Sequence, residues 1–419
     1  MKDRCAVAVL LLDLCVGARP ITAQTRFGIT PMVHGIFVAD RTGAIPGGGS
    51  LTEFRLVQPV LMAVGHAFGA RLGFTATLDL EGVTMPDGEL TPGAWGEGFV
   101  DRRHPHTTVH ELNVTVNDLL GQLDGRGQLS LTLGKGFVPF GTDDPMSRPF
   151  ERFPANHHLS QLLEWAVGVV QFDIGRVTLE GSLFNGDEPT QASDWPLIRT
   201  DQHSWRFGDS YSGRLLVRPI DGLELQGSLA HVRSPEARPG GGPDANKVSL
   251  SARWNDATST GERYAMAEYA RTSELDGTFI YRTYLAEAMV IRGRMRAAYR
   301  FESTERPEEL RNFDQFRTVR PSPDNSILGI SRWSLHTIHL AFDVMSPNRR
   351  AEIQPFIEGT FGHITKVGGG VFDAVSLYGT DRVTALNLGV MVGFGMRGHR
   401  MGRYGALASS MAGMAGMKM

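Results

Sequence analysis

The chain has 419 residues, enough for about two or three ordinary domains, although a β-barrel of this length often forms a single domain. It contains 50 glycines and is 41% hydrophobic and 21% charged, which excludes a collagen, a coiled coil and a chain that is disordered throughout. The formal net charge of −3 and the lack of a basic run give no indication of nucleic-acid binding.

The first segment of the chain, residues 1–24, has the pattern of a secretory signal peptide. A short basic start precedes an apolar run over 5–12, and residues 21–23 resemble a small-residue cleavage site. A buried N-terminal helix is the alternative, and lipoprotein processing at Cys15 is disfavoured because small residues do not precede it. Cys5 and Cys15 are the only cysteines in the sequence, so the exported chain would hold no disulfide and no cysteine-ligated metal.

Beyond this segment the hydrophobic residues alternate with polar ones. No apolar run approaches the ~18 residues that a membrane-spanning helix needs. Polar residues alternate with Leu129, Leu131 and Leu133 in residues 127–137, and with Leu223, Leu225 and Leu229 in residues 223–229. This period predicts strands with one apolar and one polar face, which a soluble β-sandwich also shows. Runs of ~9–13 residues, with aromatics such as Trp165 and Tyr281 near their ends, instead favour membrane-spanning strands.

The connections between these runs indicate a closed barrel. We predict about sixteen strands, within roughly 14–18. They lie near 26–38, 52–63, 69–81, 107–117, 127–137, 162–172, 177–185, 209–218, 222–232, 247–254, 261–272, 278–288, 291–302, 333–345, 350–363 and 383–397. Mostly long connections alternate with short ones, as expected of an even-stranded barrel with both termini in the periplasm. The predicted fold is therefore all-β, a single antiparallel transmembrane β-barrel over residues 25–398.

An arginine run lies in the predicted strand 291–302. By the period of two, one of its faces carries four arginines, namely Arg292, Arg294, Arg296 and Arg300. Each would cost ~2–4 kcal/mol toward lipid at the bilayer midplane, so we expect them to line a water-filled interior. Two acidic residues at polar positions of other strands, Glu180 and Glu224, are expected to line the same interior.

Together, the signal, the alternating strands, the abundant glycine and the order of the loops resemble the porin-type outer-membrane proteins of Gram-negative bacteria. The resemblance covers nearly all of the exported chain but includes no diagnostic motif. The final strand, with Gly389, Val392 and Phe394, is similar to the family's assembly signal, although the family usually ends on an aromatic residue and this chain continues to Met419.

This resemblance implies a function and several partners. The function is passive diffusion of small polar solutes or ions through the outer membrane. The partners are the surrounding lipid, the barrel-assembly machinery that inserts the chain, and further copies of the chain in a homotrimer. It also implies that the third long loop, 138–161, folds inward and narrows the interior, typically as an acidic loop opposite a basic wall. The charged residues of that loop are Asp143, Asp144, Arg148, Glu151 and Arg152. The alternative is a surface loop whose charges are solvated.

Two groups of residues suggest metal binding. Histidines that could converge on one ion are His104, His106, His110, His157 and His158. Thioethers that suit Cu(I) are Met411, Met414 and Met417, in a Met- and Gly-rich segment, 399–419, that we predict to be a flexible periplasmic tail. The alternative function is therefore copper-related metal handling in the outer membrane. The simpler interpretation is that the histidines belong to plain polar loops and the methionines to a low-complexity tail.

Motifs typical of enzymes are missing from the sequence. It has no nucleophile elbow, no phosphate-binding loop and no dinucleotide-binding glycine motif between a strand and a helix. We therefore predict no catalytic residue and no resident cofactor. A barrel hydrolase whose serine and histidine meet only in the folded chain is the third hypothesis.

Overall fold

Sixteen antiparallel strands close into a barrel in which each strand pairs with its neighbours in sequence and β1 pairs with β16. The computed structural model describes residues 27–45, 47–68, 71–84, 107–120, 127–142, 148–155, 160, 162, 164–186, 207–233, 243–258, 261–309, 327–345, 351–395 and 400–405. The strands are β1 Gly28–Gly43, β2 Ser50–Ala67, β3 Leu72–Asp79, β4 Val109–Val116, β5 Gln128–Phe137, β6 Glu164–Ile174, β7 Val177–Phe184, β8 Ser210–Val217, β9 Leu223–Val232, β10 Ala245–Thr258, β11 Gly261–Glu274, β12 Phe279–Arg292, β13 Met295–Glu309, β14 Ile327–Phe342, β15 Ala351–Gly370 and β16 Arg382–Phe394. The predicted fold class and strand count are confirmed.

The connections fall into two sets because successive strands run in opposite directions. Val33 near the start of β1 faces Phe394 at the end of β16, so both ends of the barrel chain lie at the same rim. That rim, the turn end, also carries the seven turns, and the opposite rim, the loop end, carries eight loops. Short helices lie in three of those loops: α1 Glu81–Thr84, a 3-10 helix Leu275–Gly277 and α2 Ala374–Tyr378.

The alternation in the sequence becomes two opposite faces of the barrel wall. On β9, Leu225 and Leu229 are exposed on the outer face, while Glu224, Gln226 and Ser228 are buried on the inner face. An apolar outer face suits hydrocarbon, and closure of the sheet pairs the backbone groups that an open edge would leave free. The polar face is buried because other parts of the chain fill the interior. Within the described ranges, no helix is long and apolar enough to cross a membrane.

We predicted that the four arginines lie on one strand, but the structure divides them between two strands and the turn that joins them. Gly293 adopts φ 61, and the chain turns at Gly293 and Arg294 between β12 and β13. Arg292 faces Met295 across this hairpin, on the exposed outer face at the turn end. Only Arg296 and Arg300 lie on the inner face of β13. The prediction that Arg292 and Arg294 line the interior is therefore wrong. A two-residue hairpin places Arg292 and Arg296 on opposite faces of the wall.

The two faces of one strand predict different responses to the same substitution. Leu250 on β10 is 53% exposed on the outer face, and the next residue, Ser251, is half-buried on the inner face. Leu250→Arg should lower the free energy of unfolding in lipid by ~2–4 kcal/mol, and less toward the rims. Ser251→Arg is the matched control, because its charge enters a polar interior, and urea unfolding in vesicles compares the two. Equal losses would contradict the assignment of the faces.

Candidate functional site

A loop between β5 and β6 crosses the interior of the barrel. This inner loop, residues 138–163, is described at 138–142, 148–155, 160 and 162, and its residues at these positions are buried. At its start the Gly141 amide donates to Ser228 Oγ of β9, at 3.0 Å. At its far side the Ala155 amide donates to Glu302 Oε2 of β13, at 2.6 Å. The loop therefore reaches from β5, where it begins, to β13, which lies eight strands away in the ring of sixteen.

Wall carboxylates hold the middle of the inner loop. The Thr142 hydroxyl donates to Glu268 Oε2 on β11 at 2.6 Å, and Arg148 Nη2 lies 3.4 Å from the same oxygen. Arg148 Nη1 also lies 3.7 Å from Glu287 Oε1 on β12. The side chains of Arg148, Glu268 and Glu287 are at most 2% exposed, so the low-dielectric surroundings strengthen these ion pairs.

Arg300 on β13 contacts two residues of the inner loop, Phe150 and Arg152. Its Nε donates to Glu287 Oε1 at 2.7 Å, and its Nη1 donates to the Arg152 carbonyl at 2.9 Å. The guanidinium also stacks on the Phe150 ring, 4.1 Å from the ring centroid. A buried apolar cluster of β11, β12 and β13 residues packs around Phe150. One arginine thus joins a wall carboxylate, the loop backbone and a loop aromatic.

The neighbouring loop residues, Glu151 and Arg152, contact β15. The Glu151 amide donates to Glu358 Oε2 at 3.2 Å, and Arg152 Nη1 donates to Thr360 Oγ1 at 2.9 Å. Burial raises the pKa of the Glu151 carboxyl, although the electrostatic effects of the neighbouring His339 and Arg296 oppose the rise. The carboxylate of Glu358 also lies 3.1 Å from His339 Nδ1.

The part of the wall that contacts the inner loop carries charges of both signs, since Arg300 lies among its carboxylates, so the acidic loop and basic wall of the resemblance stay a prediction. Among the described loop residues, Arg148 and Arg152 bring positive charge to a wall that carries four carboxylates, those of Glu268, Glu287, Glu302 and Glu358. Asp143 and Asp144 of the same prediction lie outside the described residues. These four wall residues were missed, although each occupies an inward position in a predicted strand and could have been found from the period of two.

The two other predicted lining residues, Glu180 and Glu224, do face inward but are paired with arginines. Arg214 on β8 binds Glu180, with Nη2 to Oε1 at 3.0 Å. Glu224 Oε1 lies 2.7 Å from Arg400 Nη2 and 3.0 Å from Arg403 Nη2. Residues 400–405 therefore lie inside the barrel, which corrects our prediction that the tail beginning at 399 is external. Residues 406–419 lie outside the described part.

Three loops meet at the loop end. Tyr378 of α2 packs edge-on against Trp333, with centroids 5.4 Å apart, and its hydroxyl donates to Glu308. Trp333 Nε1 donates to the same carboxylate at 2.9 Å. The Gly47 amide of the first loop donates to the Leu377 carbonyl at 2.8 Å, and Ala155 of the inner loop belongs to the same apolar cluster. The last loop is thus packed over this part of the rim.

The predicted metal ligands receive no support. His110 on β4 is buried with its ring edge-on to Phe137, centroids 5.1 Å apart. In the ranges that the structure describes, no group of three or more histidines and carboxylates could hold a metal ion. The other predicted ligands lie outside those ranges: His104, His106, His157, His158, Met411, Met414 and Met417.

Comparison with known proteins gives similarity in structure only. No protein-family model and no curated protein matches the sequence. An anion-selective porin from Comamonas acidovorans is similar over 88% of this chain and 100% of its own, with 10% identity and a TM-score of 0.51. OmpF of Salmonella typhi has a TM-score of 0.49 at 10% identity over 87% of this chain and 97% of its own. OprB of Pseudomonas putida is similar over 94% of this chain and 97% of its own, with 9% identity and a TM-score of 0.49. The chain has the fold of the porin-type outer-membrane β-barrels.

Proposed function

We propose that the chain is an outer-membrane channel through which small polar solutes or ions diffuse passively. The observation that carries this proposal is the inner loop, which crosses a closed barrel and is held at both sides by polar contacts. A loop docked inside a polar interior reduces the cross-section open to a solute, so it restricts passage by size and charge.

Conductance of the purified protein in a planar lipid bilayer tests the proposal. Stepwise openings are expected, together with a rate of sugar-driven vesicle swelling that falls as the sugar becomes larger. A vesicle preparation of the unfolded chain serves as the control for leakage. A folded, inserted protein that neither conducts nor admits sugars would contradict the proposal.

The charge of the inner wall should affect ion selectivity. Arg296 is half-buried on the inner face of β13, whereas Arg292 is exposed on the outer face. In Arg296→Glu the charge reverses, which at about 8 Å from a monovalent ion changes its energy by ~1 kcal/mol in bulk-like water, roughly fivefold in permeability ratio toward cations. Reversal potentials in a salt gradient measure this shift, and Arg292→Glu is the matched control. A larger shift in the control would show that the inner face has been assigned wrongly.

Several parts of the proposed function stay predictions. They are the signal peptide over residues 1–24, insertion by the barrel-assembly machinery, contact with outer-membrane lipid and assembly as a homotrimer. N-terminal sequencing of the exported protein tests the signal, with Gln24 or Thr25 expected first. Cross-linking of intact outer membranes tests the trimer.

A further inference from the structure

The chain does not end at the barrel rim. After β16 reaches the turn end at Phe394, residues 400–405 lie inside the barrel, and we name them the C-terminal segment. Met401 packs in a buried apolar cluster with residues of β1 and β2, among them Met32 and Met62. Met401 and Tyr404 are each 3% exposed, so these two side chains are as buried as the core of the interior, while Arg400 is half-buried.

The charges of the C-terminal segment match those of the wall. Arg400 and Arg403 both bind the single carboxylate of Glu224 on β9, at 2.7 and 3.0 Å. The backbone is held as well, since Arg214 Nη2 donates to the Gly402 carbonyl at 2.9 Å. Arg214 is itself oriented by its bidentate pair with Glu180. Charge-assisted bonds of this kind are the strong ones, and bidentate geometry adds specificity.

The shape of the wall also fits the segment. The Tyr404 hydroxyl donates to the Phe137 carbonyl at the end of β5. Gly136, next to it, leaves room for this hydroxyl, because a Cβ at that position would lie 2.6 Å from it. Burial raises the pKa of the Tyr404 hydroxyl well above its usual range, so it stays protonated and acts as a donor.

The C-terminal segment is bonded to the inner loop. Arg403 Nη2 donates to the Thr142 carbonyl at 2.7 Å, and Thr142 in turn donates through its hydroxyl to Glu268. Arg214 Nη1 lies 3.4 Å from the Gly141 carbonyl. The segment and the start of the inner loop therefore occupy neighbouring parts of the same interior and share their partners on the wall.

We propose that β8, β9 and the first residues of the inner loop form a binding site for a short basic and aromatic peptide segment. Its occupant is the chain's own C-terminal segment, which narrows the channel from the turn end. The binding site rests on contacts alone, and only its effect on conductance rests on the proposed function. The ligand class is a peptide with two arginines three positions apart followed by a tyrosine, as in Arg400, Arg403 and Tyr404.

Truncation separates the segment from the rest of the chain. A chain that ends at Phe394 loses the C-terminal segment but keeps every strand and has an aromatic last residue. A chain that ends at Gly405 is the matched control, because it loses only 406–419. We expect higher single-channel conductance for the chain ending at Phe394, and unchanged conductance for the control. Equal conductance of the chain ending at Phe394 and the full chain would overturn the proposed narrowing.

Peptide binding tests the site without relying on conductance. The probe is a fluorescent peptide with the sequence of residues 400–405 and blocked ends, added to the purified barrel in detergent. Fluorescence anisotropy should show binding to the chain ending at Phe394, and little to the chain ending at Gly405, whose site is filled. Glu224→Gln in the shorter chain should weaken binding, as should glutamine at both arginines of the peptide. If the peptide does not bind, or if neither change weakens its binding, the proposed binding site is wrong.

The outcomes distinguish this inference from the proposed function. If the peptide binds but no form of the protein conducts, the channel proposal fails and the site stands. If all forms conduct alike and no peptide binds, the channel stands and the site fails. Should the chain ending at Phe394 not fold, the full chain with Arg400→Gln and Arg403→Gln replaces it, since all sixteen strands are then unchanged. Its conductance should rise above that of the full chain, and an unchanged value contradicts the inference.

Discussion

Replacing Arg300 with methionine should release the inner loop and increase the conductance of the channel. The change removes the 2.7 Å bond to Glu287, the 2.9 Å bond to the Arg152 carbonyl and the contact with the Phe150 ring. It also leaves Glu287 buried with less opposing charge, and breaking a buried pair in this way costs about 3–5 kcal/mol. We expect a lower urea midpoint in detergent and a larger, noisier single-channel current.

Two further variants separate charge from packing at this position. Arg300→Lys keeps the positive charge but cannot reach Glu287 and the Arg152 carbonyl together and loses the stacking on Phe150, so its effects should be intermediate. Adding Glu287→Gln to Arg300→Met removes the unbalanced carboxylate and should recover part of the stability, while the larger current remains. If Arg300→Met conducts and unfolds like the unchanged protein, the inner loop is not held by this residue.

Tyr378→Ala should loosen the last loop at the loop end. Tyr378 is fully buried, packs edge-on against Trp333 and donates its hydroxyl to Glu308. Removing a buried aromatic side chain costs about 3–5 kcal/mol, and here this loss destabilises the packing of α2 against the rim. Protease added outside intact cells should cleave residues 371–381 faster in the variant, and the channel should open more widely at this rim.

Tyr378→Phe provides the matched control for this prediction. It keeps the ring but loses the hydroxyl, and Glu308 still accepts from Trp333 Nε1 and Ser331 Oγ. The expected loss is therefore only about 0.5–1.5 kcal/mol, the net contribution of one hydrogen bond. Equal cleavage rates for both variants and the unchanged chain would show that this aromatic contact does not hold the loop.

The strands were predictable because their chemistry is local. A strand in a barrel wall has one face toward lipid and one toward a polar interior, so residues 223–229 show the period of two whatever surrounds them. All sixteen predicted runs overlap an observed strand. The arginine run was misread for the same reason, because a two-residue turn at Gly293 interrupts the alternation without changing the residue types beside it.

The contents of the barrel could not be predicted in the same way. The bonds from Thr142 to Glu268 and from Arg403 to Glu224 join residues more than a hundred positions apart, and no periodicity relates them. The resemblance implied a loop that folds inward, and the described residues of the inner loop contact the inner wall. It did not imply which charges meet, because that depends on where the loop crosses the wall.

The amino-acid sequence by itself therefore determined the barrel: strand number, order and the two faces follow from alternation and from the need to pair every backbone group in lipid. Only the tertiary structure decided what fills the barrel, where Arg300 holds the inner loop and Glu224 holds the C-terminal segment. The physical reason is that wall formation uses neighbours in sequence, whereas filling the interior depends on charge and shape complementarity between segments that meet only after the barrel closes.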